Sequence, residues 1–179
     1  MVRQFLLSDK LIEYYTEKYG GDAIIHNKSS DGRSRVYSGP FMEDRDCIWL
    51  FPHTSRSRKS SDVYLPLKVG GIRIGQLTPV AKVLLKSHVK HITRGMFKKD
   101  PNYRKLLSLQ LRLLQEKFNE LRKRAKKIRS FTEPERDYIM DNLGECNLYD
   151  FKKLEEIAIS ATPEMLKSKT SDVHVLRRL

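Results

Sequence analysis

The chain has 179 residues, 39% hydrophobic and 32% charged, which is enough apolar side chain for one packed domain, alone or with a helical extension. Two cysteines, Cys47 and Cys146, exclude a disulfide scaffold and point to a reducing intracellular compartment, cytoplasmic or nuclear. Net charge is +13, no apolar run approaches the roughly 18 residues of a membrane span, and the patch Phe5, Leu6, Leu7 is too short for a signal peptide.

Ser8 is placed to cap a short helix carrying Leu11, Ile12, Tyr15 and Tyr19, which Gly20 and Gly21 stop. From about residue 23 to residue 77 the pattern changes to strands. Ala23, Ile24 and Ile25 form a short apolar run before the polar turn 27–32. Residues 35–37 and 47–51 read as strands, and the continuous apolar character of 47–51 suits a buried one. Residues 63–69 alternate weakly, and Pro66 makes them an edge strand or interrupts them. Gly70 and Gly71 signal a hairpin turn before Ile72. A small antiparallel sheet of three to five strands is expected. Residues 54–62 hold no apolar residue, are basic at their centre with Arg56, Arg58 and Lys59, and read as a mobile polar loop.

Thr78 and Pro79 fit the cap and first position of a helix running through Val80, Val83, Leu84, Ser87 and His91. Asp100 and Pro101 open the next by the same device. Residues 102–132 contain neither glycine nor proline. Leu107, Leu111, Leu114, Phe118, Leu121, Ala125 and Ile128 recur there at spacings of 4 and 3, a heptad seam. At 1.5 Å per residue, about 28 residues make a rod of about 42 Å. Thr132 and Glu135 form a capping box for a helix with Tyr138, Ile139 and Leu143. Leu148, Phe151, Leu154, Ile157 and Ala158 mark another, and Thr162 with Pro163 opens a last short one. The short connection at 129–132 favours packing of the seam on these C-terminal helices. The alternative is a second chain, a protein partner or a homodimer. The expected class is α+β: a short N-terminal helix and small antiparallel sheet, followed by a C-terminal helical segment with one long basic amphipathic helix. The expected division is a mixed β subdomain at 1–77, a helical subdomain at 78–167 and a flexible tail at 168–179.

Residues 86–129 hold 15 basic and 3 acidic side chains, a net of +12, so nearly the whole excess lies in one stretch. A localised field of this kind attracts polyanions. Nucleic acid, DNA or RNA, is the first candidate, and an anionic membrane surface the second. The expected phosphate contacts are Arg56, Arg58, Lys59, Lys90, Arg94, Lys98, Lys99, Arg104, Lys105, Arg112, Arg122, Lys123, Arg124, Lys126, Lys127 and Arg129. The helix dipole accounts for one or two cations at a C-terminus, not for the density between Arg122 and Arg129.

No Walker loop and no dinucleotide fingerprint is present, and no cofactor is expected. His88 and His91 fall at i and i+3 on the expected helix, but no further ligand, from Cys47, His53 or Cys146, is placed by spacing to complete a metal site. Glu43, Asp44, Asp46 and Asp62 with Lys68 outline a metal-dependent nuclease only as a weak alternative, since acidic turns before strands are ordinary. Tyr37, Phe41, Trp49, Phe51 and Tyr64 suit either base stacking or a core, and the core reading is favoured.

Ser38, Gly39, Pro40 and Phe41, and residues 118–128 followed by Phe131, Thr132, Glu133, Pro134 and Glu135, loosely resemble subunits of the GINS replication complex. The resemblance implies a scaffold subunit of a nucleic-acid-processing complex, and no functional residue is carried over. Compact basic viral matrix or accessory proteins fit the composition as well. The reading reached from the residues is a non-catalytic nucleic-acid-binding protein that uses a basic helical surface within a larger assembly.

Overall fold

The computed structural model describes residues 2–20, 34–54, 58–67, 70–93, 95–143 and 148–168. Several expectations fall outside them: the apolar run at 23–25, the turn at 27–32, Arg56, Lys68, Val69, Arg94, Cys146 and the tail from 169. So do the side chain of Leu143 and the mobility expected of the loop centre, residues 55–57.

The class is α+β, as expected. Strand β1 (Arg3–Leu7) leads into helix α1 (Asp9–Tyr19), where the Ser8 hydroxyl accepts the Leu11 amide at 3.3 Å. Gly20 ends α1 at φ +91°, a value that favours glycine. Leu11, Ile12, Tyr14 and Tyr15 turn inward, and the Tyr15 hydroxyl donates to the Pro79 carbonyl at 2.9 Å. Strands β2 (Val36–Glu43) and β3 (Cys47–Thr54) form the central antiparallel pair. β3 is buried as far as His53, and it is paired along both edges, with β2 on one side and two further strands on the other. β4 (Tyr64–Pro66) and β5 (Gly71–Arg73) make the expected hairpin, and β4, which ends at Pro66, lies at the sheet edge. A side chain on Gly71 would run into the Tyr64 ring and the Leu65 carbonyl.

The sheet exceeds expectation. It has seven strands in the order β4-β5-β3-β2-β1-β7, with β6 (Thr78–Ala81) beside β3. β7 (Val89–His91) pairs with β1. Thr78 and Pro79 therefore open a strand, not a helix. Val80 and Ala81 are needed in the core opposite Ile48 and Cys47. Pro79 is tolerated because β6 is bonded to β3 alone. His88 ends the one-turn helix α2 (Leu85–His88) and His91 ends β7, so the two histidines do not share a helix face.

The single long helix is two. α3 (Pro101–Glu116) stops before Lys117, which sits at φ −94°, ψ 10°, and α4 (Phe118–Arg129) follows. Nothing in the local sequence marks this break. It coincides with Phe118 stacking on Phe41 of β2, with ring centroids 5.7 Å apart. The seam is buried inside the chain: Leu107, Leu114, Leu121, Ala125 and Ile128 are all at most 4% exposed. The counterface of its α4 part is mainly β2 and the turn at Ile74–Gln76, not the C-terminal helices. α5 (Glu133–Leu143) begins at the capping box, where the Thr132 amide donates to Glu135 Oε2 at 2.7 Å, but Tyr138 on it is exposed. α6 (Phe151–Ser160) packs on β6 and α1, and α7 (Pro163–Ser168) also touches α1. Among the described residues no helix is long and apolar enough to cross a membrane.

Candidate active site and basic surface

Tyr37, Phe41, Trp49, Phe51 and Tyr64 are all buried, so the core reading of the aromatics holds and none is presented for base stacking. Cys47 is a buried free thiol, and burial pushes it up to about 12. The acidic residues weighed as a metal site do not converge. Asp44 Oδ1 accepts the amides of Asp46 and Cys47, and its Oδ2 accepts Trp49 Nε1 at 2.9 Å. Burial raises the Asp44 carboxyl, but those three hydrogen bonds and Arg129 outweigh it and hold the group below its ordinary value. Glu43 pairs with Lys82 at 2.8 Å and Asp62 with Lys127 at 2.7 Å. Among the described residues no group of three or more His, Cys, Asp and Glu side chains could hold a metal ion.

A different polar group lies where β2 begins and β3 ends. The register that pairs Tyr37 with Pro52 brings Arg35 to the end of β3, and Arg35 Nη1 donates to the His53 carbonyl at 2.8 Å. Burial draws the Arg35 guanidinium below its ordinary value, and it remains a cation at neutral pH. Thr54, the last residue of β3, is partly exposed beside it. Behind the carbonyl, the His53 ring is buried between two elements. Its Nε2 lies 2.7 Å from Ser38 Oγ of β2, and its Nδ1 lies 3.2 Å from Gln110 Oε1 of α3. Burial pushes His53 down to about 4; the Gln110 bond acts against this and the Arg35 charge with it. The ring is neutral at physiological pH and both its nitrogens are engaged, which removes it as a proton carrier in this state.

The strand ends from which the chain continues into residues 21–33 and 55–57 thus carry a half-buried cation on a rigid, hydrogen-bonded support. Such a cation stabilises negative charge that develops on a bound phosphoryl group. The arrangement was missed in sequence because Arg35, Ser38, His53 and Gln110 lie far apart in the chain. One signal was present: Gln110 falls three residues after Leu107 and four before Leu114, a polar residue on the apolar face.

The low His53 value carries a stability consequence. Between about pH 6.5 and about pH 4 the unfolded chain binds a proton that the native ring refuses. The contribution is therefore complete above pH 6.5 and lost as pH falls towards 4. Between pH 7 and pH 4.5 the native protein is expected to lose about 2 kcal/mol more than a His53→Gln variant. Urea unfolding at both values checks this, and parallel losses would show that His53 does not titrate this way.

The basic residues divide into engaged and open sets. Arg112 pairs with Glu116, and Arg124 with Glu120 and the Ser61 carbonyl. Arg129 makes two bonds to Glu155, approaches Asp44 and lies 4.7 Å over the Trp49 ring. Lys59, Lys90, Lys98, Lys99, Arg104 and Lys105 are exposed, and Arg58 is half-buried. Arg122, Lys123 and Lys126 are exposed and form no ion pair with another described residue. Arg122 and Lys126 line an open cleft of about 430 Å³ with Met42, Glu43, Arg129 and Ser130. This cleft lies at the far end of β2 from Arg35. Met42 and Glu43, which line it, stand seven and eight residues along the chain from Arg35, about 25 Å at 3.3 Å per residue.

No protein-family model matches the chain, and no curated protein sequence does. Solved structures do share its fold. One belongs to a bacterial type III toxin–antitoxin system in which a non-coding RNA pseudoknot selectively inhibits the toxin; the match covers 88% of this chain and 95% of that one, with TM-score 0.70 and 20% identity. A second belongs to a bacterial antiviral system regulated by a processed non-coding RNA, covering 86% and 95%, with TM-score 0.65 and 19% identity. A third is AbiQ, a lactococcal anti-phage endoribonuclease of the type III toxin–antitoxin system, covering 88% and 96%, with TM-score 0.67 and 17% identity. At these identities the likeness is one of fold. It corrects the expectation of a non-catalytic nucleic-acid binder, because AbiQ, with this fold, is an enzyme. The scaffold-subunit and viral matrix alternatives find no support in it. The sequence carries no familiar catalytic motif, and the lack of one does not exclude catalysis.

Proposed function

We propose that this chain is an endoribonuclease whose reaction centre is the Arg35 site at the paired ends of β2 and β3. The observation that carries the reading is Arg35 itself, a half-buried cation fixed at 2.8 Å on the His53 carbonyl. The fold shared with AbiQ, an endoribonuclease, supports it. RNA brings its own nucleophile, the ribose 2′-hydroxyl. In that route the O2′–P bond forms as the P–O5′ bond breaks. The 2′-hydroxyl passes its proton to solvent or a neighbouring group, and the departing O5′ takes one up from the same kind of source. The protein then needs to orient the strand and to hold the charge on the phosphoryl oxygens. Arg35 performs the second task.

RNA is also the polyanion that the basic surface receives in this reading. The contribution of Arg122, Lys123 and Lys126 is sequence-independent attraction for the backbone, since they are open and lie away from the scissile centre. Incubation of the purified protein with mixed-sequence single-stranded RNA is the test. Fragments that appear with the wild-type chain support the reading, and RNA left intact overturns it. In binding assays on an Arg35→Ala background, changing Arg122, Lys123 and Lys126 to glutamine is expected to flatten the log affinity–log salt slope by about 2, at about 0.7 per lost contact. The fold should persist, because these side chains are exposed. An unchanged slope would remove the three residues from the RNA interface.

A further inference from the structure

We propose that Gln110 and His53 are positioning residues that fix Arg35 from α3, an inference that rests on the endoribonuclease reading. The hydrogen bonds form one chain through three elements. Gln110 Oε1 faces His53 Nδ1 at 3.2 Å, His53 Nε2 faces Ser38 Oγ at 2.7 Å, and the His53 carbonyl holds Arg35 Nη1 at 2.8 Å. Because an amide oxygen only accepts, Nδ1 carries the ring proton, and Nε2 accepts from the Ser38 hydroxyl. The ring is thereby locked in one tautomer and one orientation between β2 and α3. The acceptor on which the Arg35 guanidinium rests is the backbone carbonyl of that same residue, at the end of β3.

Stability alone is a poor reason for this group. Ser38, His53 and Gln110 are 0%, 7% and 6% exposed. Three desolvated polar side chains gain only a modest net amount from bonding one another, and matched apolar residues of similar shape fill such a space at little cost. What the polar chain adds is direction. Arg35 is the first residue before β2 and would otherwise share the freedom of a strand end. A displacement of about 1 Å at a reacting centre costs about 10²-fold in rate. A second buried contact, Gln4 Nε2 to the Leu107 carbonyl at 3.0 Å, fastens the same stretch of α3 to β1. The helix that presents Arg104, Lys105 and Arg112 to solvent is thus held in register with the reaction centre.

The test compares wild type, Gln110→Leu and Gln110→Glu in RNA cleavage, with kcat and KM measured separately. Gln110→Leu keeps the volume and removes the acceptor. Its kcat is expected to fall about 10- to 100-fold, the usual effect of losing a group that orients a reacting one, with KM within about twofold. Gln110→Glu restores an acceptor oxygen. It is expected to recover most of kcat and to bring a new inflection, at higher pH than in wild type, into its kcat–pH profile, since a carboxylate favours the charged imidazole. Unchanged kcat in Gln110→Leu overturns the positioning role while leaving the endoribonuclease reading intact. No cleavage by wild type overturns both. If Gln110→Leu does not fold, Gln110→Glu decides: a pH profile identical to wild type counts against the role, and the new inflection supports it.

Discussion

Replacing Arg35 with alanine is expected to lower the rate of RNA cleavage by about 10²- to 10³-fold, the usual consequence of removing one fixed donor from a developing oxyanion. The size of the effect follows from placement. An exposed arginine is screened by water and salt, whereas Arg35 is half-buried at the junction of two strands. Its support is a backbone carbonyl at 2.8 Å, so in the proposed reaction the guanidinium would not need to reorganise as charge builds on the phosphoryl group. Arg35→Lys should recover only part of the loss. An ammonium supplies the charge but not the planar fork that bonds two acceptors together. Single-turnover cleavage of a labelled RNA measures both variants, and circular dichroism confirms that they remain folded. An Arg35→Ala protein that cleaves at the wild-type rate would move the reaction centre elsewhere.

Leu114→Ala is expected to destabilise the fold by about 2–5 kcal/mol, the range for deleting a fully buried leucine side chain. Leu114 is 0% exposed and sits on the inner face of α3, in the same apolar core as Leu121, Phe51 and Leu77. The shared core makes the site hard to collapse: the sheet lies on one side and α4 continues the face, so little can move into the void. A lowered urea midpoint with an unchanged slope, independent of protein concentration, is the expected result. A concentration-dependent midpoint would instead place part of the seam between two chains.

The two residues differ in how much of their role is local. Leu114 was legible in the sequence, because burial of a helix face follows from spacing alone: apolar residues 3 and 4 apart must lie on one side. The same local logic placed α1 behind Ser8, the capping box at Thr132 and Glu135, the buried strand from Cys47 and the hairpin at Gly70. These features depend on a few neighbouring residues and their backbone preferences. The concentration of positive charge in residues 86–129 was equally plain, since charge adds along the chain whatever the fold.

The sheet and the site were decided elsewhere. Thr78 and Pro79 carry a helix signal, but pairing with β3 overrides it, and that pairing joins residues 28 or more positions apart. The break at Lys117 has no glycine or proline to announce it; it goes with a contact between Phe118 and Phe41, which only the folded chain brings together. Which cations remain open is also a tertiary matter, as Lys127 and Arg129 show: their partners Asp62 and Glu155 come from distant segments. The Arg35 group is the clearest case. Ser38 and His53 come from two adjacent strands, Arg35 immediately precedes the first of them, and Gln110 arrives from a helix 57 positions beyond His53. Local propensity and periodicity determine which residues turn inward, but the hydrogen bonds among the polar ones exist only once β2, β3 and α3 have closed around them.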